Sequence, residues 1–498
     1  MLEKSELRDV LKIGIELTTE KNKHRLLVKM LQKAMEITGC DAGTLYLCRG
    51  DFLEFKIMKT LSQGVSRGEN GERIDLPPVE LKQENVCAYA ALRKELVNVS
   101  DVYRSDKFDF SGPKRYDGMT GYRTKSMLVV PMENAEDRVI GVLQLINKLD
   151  GDGNVISFCD DDAFILRSLG SMAAVSLSNM LYIDEIKQEM QSFVQAFATA
   201  VDKRTPYNGT HTRKVTAYAR LVALQLNRMD CGEKFDQTRL EQLELAAGLH
   251  DIGKMIVPLS VMNKSTRLDS DLERVLARLE RISLLCERDM LKGEITREQF
   301  ERISEQVAWA KDVIKRADCA GFLDDSLLAD VDRVAGTCYI CGDGERVDFL
   351  SDKEAALLRV RKGTLSAQER EVMESHARMT KVILDQVHFS EKYAAAPVFA
   401  AAHHEMLDGS GYPNHLTGKE IALETRILSA VDIYDALTCT DRPYKKPMPR
   451  ERALQILREM VNEGKLDATV VKALTDALEN VSEQEVEQVL KTPIEEMI

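Results

Sequence analysis

Short apolar runs separated by Gly, Asn and Asp mark roughly the first 180 residues of the chain. Runs of this length that are rich in Val, Ile, Leu and Phe are typical of strands. Two segments before these runs, residues 1–24 and 26–37, have apolar residues three and four positions apart, which is the spacing of a helix. The pattern predicts an α+β domain with flanking helices and an antiparallel sheet, whose strands lie at residues 44–48, 52–59, 126–131 and 139–147.

From Asp162 onward the apolar residues follow a helical period. Between Ala163 and about Val201 they recur three and four residues apart, with no proline and a single glycine. This pattern predicts one long helix over residues 162–201, which either connects two domains rigidly or only packs within one. Beyond Ala200 the helical period continues between Gly and Pro loops, so the second part of the chain is predicted to be all helical.

Composition narrows the class of protein. A chain of 498 residues with 44% hydrophobic and 30% charged residues is typical of a globular protein with two or three domains. Its net charge of -13 argues against a nucleic-acid polymer or an anionic membrane as the main partner, but a small anionic ligand is compatible with it. We expect no membrane span and no signal peptide, because no stretch is sufficiently long and apolar. The ten scattered Cys then indicate reduced thiols in a cytoplasmic protein.

Five of the eight histidines form one ordered pattern with two aspartates. Neutral imidazoles supply nitrogen ligands, and a carboxylate can bridge two cations through its two oxygens. Two metals roughly 3.5–4 Å apart can generate hydroxide at neutral pH and stabilise a phosphoryl displacement. A lone His on a helix is more often structural, but the ordered set indicates a binuclear metal site formed by His211, His250, Asp251, His376, His403, His404 and Asp432.

The segments around these residues contain six characteristic stretches. They are His-Asp-Ile-Gly-Lys (250–254), His376, His-His-Glu (403–405), Asp-Gly-Ser-Gly-Tyr-Pro (408–413), Val-Asp-Ile-Tyr-Asp-Ala-Leu-Thr (431–438) and Asp-Arg-Pro-Tyr-Lys (441–445). Together they resemble the HD-GYP domain, a branch of the HD metal phosphohydrolases, over about 200 residues at 195–270 and 363–490. The resemblance implies an all-α domain that hydrolyses cyclic di-GMP or, in some members, a mixed cyclic GMP-AMP dinucleotide.

Position by position, the resemblance also implies a role for each ligand. Asp251 is a catalytic residue because it would bridge the two metals, for which Fe or Mn suits the ligands best and Zn is not excluded. The remaining ligands divide between the metals, with His211, His250 and Asp432 on the first and His376, His403 and His404 on the second.

Substrate contacts follow from the same resemblance. Lys254, the second catalytic residue, would contact a phosphate oxygen and offset its charge, while Arg442 and Lys445 would bind the other phosphate, a task that suits guanidinium groups. The resemblance also implies that Gly411, Tyr412 and Pro413 form a wall of the substrate site, because glycine allows the backbone to approach a ligand closely. The alternative is that these three residues form a plain turn.

Two departures from the family pattern matter. In the first, residues 207–212 are Tyr-Asn-Gly-Thr-His-Thr where the family often has Tyr-Thr-x-Gly-His-Ser, so the glycine is shifted by one position and we expect a slightly different approach to His211. The second is a long spacing. His250 and His376 are 376 − 250 = 126 residues apart, because charge-rich helices at about 270–362 interrupt a domain that spans 195–498. We interpret these helices as an insertion, in which Cys338 and Cys341 form half of a zinc site at most. Regular family sequence resumes where Ser366 is expected to cap a helix with Glu369 at its third position.

A separate expectation concerns the number of metals. Some HD-GYP domains bind a third metal through a Glu four residues before the first His ligand, and here that position is Tyr207. A neutral phenol is a poor ligand for a hard cation. We therefore predict two metals and a linear dinucleotide, pGpG, as the main product.

Residues 25–183 resemble a GAF domain through Gly-Tyr-Arg-Thr-Lys-Ser-Met-Leu-Val-Val-Pro (121–131) and Val-Ile-Gly-Val-Leu-Gln-Leu-Ile-Asn-Lys (139–148). Some cyclic-nucleotide-binding GAF domains contain Asn-Lys, then Phe, then Asp-Glu, a motif that supports the pocket. The resemblance implies a domain that binds a small molecule or cyclic nucleotide, or one that only forms a homodimer. The corresponding residues here are Asn147, Lys148, Phe158 and Asp162, with Ala163 in place of the Glu.

Three functional classes are compatible with these features. They are a cyclic di-GMP phosphodiesterase, a catalytically silent receptor for a nucleotide or a protein, and a phosphohydrolase of mononucleotides. The complete ligand set argues against the silent receptor, and the Gly-Tyr-Pro loop with Arg442 and Lys445 argues against the mononucleotide enzyme. We predict a homodimeric phosphodiesterase that its GAF domain regulates.

Overall fold

The computed structural model describes residues 4–204, 210–229, 232–439, 447–479 and 483–490. Contacts divide the chain into two compact units, Met1–Met190 and Gln191–Ile498. The first unit contains an antiparallel sheet with helices, and the second is mainly helical. The fold class that the hydrophobic pattern predicts is confirmed.

The described part of the first unit contains an eight-stranded sheet. Its strands are β1 (Cys40–Arg49), β2 (Phe52–Thr60), β3 (Val65–Arg67), β4 (Val79–Glu80), β5 (Val97–Val99), β6 (Met127–Glu133), β7 (Val139–Leu149) and β8 (Val155–Ile156). Six strands lie in the order β3-β2-β1-β7-β6-β5, while β4 pairs with β2 and β8 with β7. The helices are α1 (Lys4–Thr19), α2 (Lys23–Thr38), α3 (Val86–Arg93), α4 (Ser111–Thr120) and the first part of α5 (Asp160–Asp202).

The two faces of this sheet have separate apolar cores. Successive side chains of a strand point to opposite faces, and in β6 Leu128 and Val130 lie in the core that α2 and α5 cover. Met127 and Val129 lie in the other core, beside α3. The predicted strands at 44–48, 52–59 and 139–147 fall within β1, β2 and β7, and the one predicted at 126–131 begins one residue before β6. The shorter strands and helices α3 and α4 are not predicted, because elements of this kind show too little apolar period.

The long helix predicted over residues 162–201 is α5, which spans 43 residues. Its residues Leu166, Leu169 and Leu177 are buried in the core of the first unit. By length and composition it is the one candidate membrane span among the described helices, and half of its most apolar stretch is buried inside the protein. The expectation that no stretch is long and apolar enough to cross a membrane is therefore wrong for α5. Packing in the core of the first unit accounts for many of its apolar residues.

The described helices of the second unit are α6 (His211–Met229), α7 (Gln237–Leu249), α8 (Leu259–Met262), α9 (Asp271–Leu291), α10 (Arg297–Cys319), α11 (Asp325–Ala335), α12 (Asp352–Leu358), α13 (Ala367–Leu384), α14 (Ala396–Ala401), α15 (Leu423–Thr438), α16 (Arg450–Asn462), α17 (Ala468–Glu479) and α18 (Glu483–Val489). Helices α6, α7 and α13–α18 contribute to a large apolar core, to which Val222, Leu243, Leu428 and Leu474 belong.

Residues 270–362 form an apolar core of their own, in which Leu279 of α9 and Val313 of α10 are fully buried. The segment also contains an antiparallel hairpin of β9 (Cys338–Ile340) and β10 (Arg346–Asp348). The prediction that the second part of the chain is all helical is wrong at this hairpin, because three-residue strands are too short to show a period of two.

Helix α13 begins as the sequence predicts. Ser366 caps it, since its side chain accepts a hydrogen bond from the Glu369 amide at 3.2 Å. The Glu369 side chain accepts a bond from the Ser366 amide at 2.8 Å in return. This capping box fixes the start of the helix that carries His376.

Candidate metal centre

The seven predicted metal ligands lie on different elements and come together inside the second unit. Even the most exposed of their side chains, that of His404, is only 20% exposed. Their positions are the first residue of α6 (His211), the two residues after α7 (His250 and Asp251), the middle of α13 (His376), the segment after α14 (His403 and His404) and α15 (Asp432).

These residues form overlapping groups of possible metal ligands. Within each group the donor atoms lie within 4.8 Å of one another. The groups are His211 with His250 and Asp432, His376 with His403 and His404, and Asp251 with His250 and His403. The first two groups have no residue in common, whereas the third shares one histidine with each of them. The arrangement therefore has two clusters of donor atoms, which meet at the Asp251 carboxylate.

Asp251 lies between the two clusters. Its Oδ2 is 3.6 Å from His211 Nε2 and 3.3 Å from His250 Nε2. Its Oδ1 is 3.5 Å from His376 Nε2 and 3.8 Å from His403 Nε2. One carboxylate oxygen therefore faces each cluster, which is the arrangement that a bridging ligand needs.

Hydrogen bonds fix the orientation of the imidazoles. In His250, His376 and His403 the Nδ1 atom is 2.6–2.7 Å from the carbonyl oxygen three residues earlier. Because a carbonyl only accepts, Nδ1 donates and the Nε2 lone pair faces the centre. His211 Nδ1 lies 2.7 Å from Asp435 Oδ2 and is oriented by a carboxylate instead. Such partners orient a histidine ligand and raise its basicity.

Several atoms at the centre are buried without a hydrogen-bond partner in the described part of the chain. They are Asp251 Oδ1 and the Nε2 atoms of His211, His250, His376 and His403. Buried polar atoms in folded proteins normally have partners. Imidazole nitrogen and carboxylate oxygen are ligands of Zn, Mn and Fe, so divalent cations would satisfy these atoms together. The residues present therefore fit a divalent metal centre.

The surroundings favour an ionised Asp251 and neutral His403 and His404, which are the forms of these side chains that bind cations. Burial raises the pKa of Asp251, but the Lys254 charge and nearby imidazoles outweigh it and hold that pKa well below its usual range. Burial lowers the pKa of His403 and brings that of His404 to about 3, so both are neutral at neutral pH. For His211, burial lowers the pKa, but the nearby Asp251, Asp432 and Asp435 carboxylates outweigh burial and hold that pKa well above its usual value. A bound cation would compete with this proton.

Lys254 lies on a short 3-10 helix, Ile252–Met255, directly after the ligand pair. Its Nζ is 2.5 Å from Asp251 Oδ2. The Lys254 side chain is 19% exposed and the Asp251 side chain 3%. A positive charge thus lies at the more exposed side of the buried carboxylate.

The turn that carries Lys254 packs tightly against α13. A Cβ at Gly253 would lie 2.0 Å from the His376 carbonyl oxygen, so no larger residue fits without movement of the backbone. Thr380 Oγ1 accepts a hydrogen bond from the Gly253 amide at 3.1 Å and donates one to the His250 carbonyl at 2.9 Å. These contacts bring ligands of both clusters together.

The Gly-Tyr-Pro loop lies directly against His404, one of the predicted metal ligands. A Cβ at Gly411 would lie 2.3 Å from Met406 N and 2.5 Å from the His404 carbonyl oxygen, so the loop needs glycine to come this close. The ring centroids of Tyr412 and His404 are 4.7 Å apart, and the Tyr412 amide donates to the His404 carbonyl at 3.2 Å. Pro413 follows Tyr412 through a cis peptide bond.

Family models match both units of the chain. A GAF domain model matches residues 22–177. One HD domain model matches residues 208–318, and another matches 353–470. The His250-Asp251 pair and the Gly411–Pro413 loop lie in these HD matches. A region that matches the GAF domain is thus followed in this chain by two regions that match HD domains.

Curated relatives resemble only part of the chain. The 3'3'-cGAMP-specific phosphodiesterase 3 of Vibrio cholerae is 39% identical over 116 residues, which are 23% of this chain and 24% of that protein. A probable cyclic di-GMP phosphodiesterase of Vibrio cholerae is 39% identical over 103 residues, 19% of this chain and 22% of that protein. The cyclic di-GMP phosphodiesterase of Thermotoga maritima is 36% identical over 104 residues, 21% of this chain and 27% of that protein. The chain thus spans about a quarter of the length of these relatives.

Three residues of the sequence analysis lie outside the described residues of the HD-GYP domain. They are Tyr207, Arg442 and Lys445. The two positively charged side chains expected to bind the second phosphate, Arg442 and Lys445, therefore lie outside the described structure, whereas Lys254, Gly411, Tyr412 and Pro413 lie within it.

The structure adds residues that sequence reasoning did not assign. Asp435 is 1% exposed and orients His211. Glu405 is 2% exposed and accepts hydrogen bonds from the Asn414 amide at 2.6 Å and the Leu416 amide at 2.9 Å, which anchors the end of the Gly-Tyr-Pro loop. For Asp435 a sequence signal existed, because it lies three residues after Asp432 on one face of α15.

In the GAF domain the Asn-Lys, Phe and Asp residues support the fold. Asn147 Oδ1 accepts a hydrogen bond from the Lys125 amide at 2.7 Å, and Asn147 Nδ2 donates to a backbone carbonyl. Lys148 Nζ pairs with the buried Asp162 carboxylate at 2.5 Å and 2.7 Å. Phe158 is 4% exposed in the core. The motif therefore joins β7 to the start of α5.

The GAF domain also has an open groove of about 640 Å³ beside strand β5. Its lining mixes aromatic, cationic and anionic side chains, so its charge does not select one class of ligand. The residues concerned include Tyr89, Asp101, Arg104, Lys107 and Phe108.

Proposed function

We propose that the HD-GYP domain hydrolyses a cyclic dinucleotide at a binuclear metal centre, with cyclic di-GMP as the preferred substrate. The observation that carries the proposal is Asp251, whose Oδ2 faces His211 and His250 and whose Oδ1 faces His376 and His403. Relatives named as phosphodiesterases of cyclic di-GMP and of 3'3'-cGAMP support the class of substrate.

When bound, two divalent metals would supply a hydroxide nucleophile and neutralise charge on the phosphodiester. Fe or Mn suits this ligand set best, and Zn is also compatible. Asp251 would hold both ions. The other ligands are His211, His250 and Asp432 for the first, and His376, His403 and His404 for the second.

The residues of the chain then bind and orient the substrate. Lys254 is placed beside Asp251, where its ammonium can meet a phosphate oxygen and offset its charge. Gly411 and Tyr412 form a wall against the second cluster, on which one nucleotide would rest. Arg442 and Lys445 would bind the second phosphate.

We further propose that the reaction stops mainly at the linear dinucleotide pGpG. A second cleavage requires the opened product to bind again with its new terminal phosphate neutralised. A third cation would help in that step, but Tyr207 stands where a Glu ligand would be needed for it. Two metals suffice for one in-line displacement.

Product analysis with the purified, metal-defined full chain tests the proposal. Cyclic di-GMP and 3'3'-cGAMP are supplied separately, and products are resolved by chromatography over time. We expect cyclic di-GMP to disappear faster and pGpG to accumulate, with GMP slow or absent. GMP that forms as fast as cyclic di-GMP disappears would refute the product assignment. Faster turnover of 3'3'-cGAMP would change the substrate, and no hydrolysis of either would favour a silent receptor.

The first unit has a regulatory role in this proposal. The GAF domain would bind a small molecule or a cyclic nucleotide, or hold two chains together as a homodimer. The scattered cysteines, read as reduced thiols, favour a cytoplasmic location in this proposal.

A further inference from the structure

The end of α5 contacts the helix that carries the first metal ligand. Asp202, its last residue, is 4% exposed. The Asp202 carboxylate accepts hydrogen bonds from the Thr212 hydroxyl at 2.8 Å and from the Thr212 amide at 3.3 Å. Thr212 follows His211 at the start of α6, where amide groups lack partners within the helix and favour a negative charge. Asp202 therefore fixes the helix end that presents His211.

Arg204 reaches the turn on which Lys254 lies. Its guanidinium donates to the Lys254 carbonyl at 2.8 Å, to the Val257 carbonyl at 2.9 Å and also to the Met255 carbonyl. These carbonyls lie at the end of the 3-10 helix and just after it, where a cation is favourable. The Lys254 carbonyl also accepts a hydrogen bond from the Val257 amide at 3.2 Å. One side chain thus binds the backbone of the residue whose ammonium meets Asp251.

The Lys254 turn is held from two directions. Toward α13 the contact is between backbones, because Gly253 leaves no space for a Cβ. Toward α5 it depends on the Arg204 guanidinium. Removing that group would release the last residues of the turn and leave the seven metal ligands in place.

We infer that Arg204 is a positioning residue for the phosphodiesterase reaction, which fixes the backbone of the Lys254 turn so that the Lys254 ammonium meets the substrate phosphate. The inference rests on the proposed function of the domain. Arg204 acts through Lys254, so replacing it changes turnover without removing a ligand of the metals. A displacement of about 1 Å at a reacting group can cost on the order of a hundredfold in rate.

A double-mutant cycle between Arg204 and Lys254 in the metal-loaded full chain tests this inference. Arg204→Met should lower kcat/KM for cyclic di-GMP on the order of tenfold to a hundredfold, with bound metal unchanged by elemental analysis. In a Lys254→Met background the same change should cost about twofold or less, because the effect passes through Lys254. Arg204→Lys keeps one donor group and should recover part of the rate. Lys203→Met, which removes a neighbouring exposed charge, is the matched control and should keep the wild-type rate.

Hydrogen exchange without substrate gives a readout that does not depend on activity. Arg204→Met should speed exchange at the Ile256 and Val257 amides, which bond to the turn at 3.1 Å and 3.2 Å, and Lys203→Met should not. Wild-type turnover in Arg204→Met, full additivity with Lys254→Met, or loss of bound metal would each overturn the inference. If the wild type cleaves no cyclic dinucleotide, the proposed function fails, and unchanged exchange would show separately that the contact with the turn fails too.

Discussion

Asp251 is placed to contribute one oxygen to each of two metals, because each of its carboxylate oxygens faces a different cluster of imidazoles. Replacing it with Ala removes the shared ligand, so we predict that Asp251→Ala loses both metals and all hydrolysis. Elemental analysis of the purified variant measures the metals directly. Asp385→Ala, at an exposed carboxylate just after α13, is the control and should keep them. Two metals per chain in Asp251→Ala would contradict the bridging assignment.

Gly411 gives a second prediction at the residue scale, since a Cβ there would lie 2.3 Å from Met406 N. Gly411→Ala should push the Gly-Tyr-Pro loop away from His404, raise KM and lower the free energy of unfolding by about 1–3 kcal/mol, as overpacking does. Gly321→Ala is the matched control, because a Cβ at Gly321 would have no atom within 4 Å. Steady-state kinetics and urea unfolding of both variants measure the effect. Equal values for the two variants would show that the close approach is unimportant.

The residues at the site differ in how far the sequence predicts them. His250, Asp251 and His404 could be predicted because their types and order match a known ligand pattern. Glu405 and Thr380 could not be assigned roles, because each acts through hydrogen bonds to backbone groups, those of Asn414 and Leu416 in the following loop and that of His250, 130 residues away. Such partners depend on the packing of α13 and of the loop after α14, which no local period reveals.

The insertion at 270–362 is stabilised by a buried ion pair at the start of α12. Arg278 donates two hydrogen bonds of 2.7 Å to the Glu354 carboxylate, which is 1% exposed. Burial raises the pKa of Glu354, but hydrogen bonds from Arg278 and Ser351 outweigh it and lower that pKa to about 2. The folded value lies below the usual value of 4.5. The pair therefore stabilises the fold above pH about 4.5, and this contribution is lost as the pH falls toward about 2.

The size of this contribution can be measured in the full chain. A pKa difference of about 2.5 corresponds to about 3 kcal/mol. Trp309, the one tryptophan of the sequence, packs against the core of the insertion, so its fluorescence reports unfolding there. We predict that the difference in free energy of unfolding between wild type and Glu354→Gln is largest above about pH 5 and shrinks toward about pH 3. Glu345→Gln, at an exposed carboxylate, should show no such change. A difference that stays constant with pH would refute the assignment.

At the scale of elements, prediction succeeds where the pattern is long. Helix α5 repeats its apolar period over many turns, and β6 and β7 are continuous apolar runs between turn residues. The hairpin of β9 and β10 has only three residues in each strand, so pairing across the turn defines it rather than any period in the sequence. A capping box marks the start of α13 because Ser366 and Glu369 bond to each other locally.

At the scale of the whole molecule, α5 belongs to both units. Leu166 and Leu169 near its start lie in the core of the GAF domain, and Asp202 at its end bonds to Thr212, the residue after the predicted ligand His211. The helix also exposes apolar side chains three, seven and four residues apart, a spacing typical of the seam of a two-stranded coiled coil. These are Ile183, Ile186, Phe193 and Phe197.

These features predict that the GAF domain controls the HD-GYP domain through α5 in a homodimer. A ligand can shift activity only if it binds two states with different affinity, and a shift of α5 would move Asp202 and Arg204 together. The full chain is compared with a chain that starts at Lys187 and with Ile186→Glu in the full chain. Sedimentation gives the oligomeric state, and turnover of cyclic di-GMP is measured with and without added cyclic nucleotides. We expect a full-chain dimer whose turnover responds to one of them, and expect both altered chains to bind metal but to be monomeric and unresponsive. The same oligomeric state and the same turnover in all three chains would reject coupling through α5.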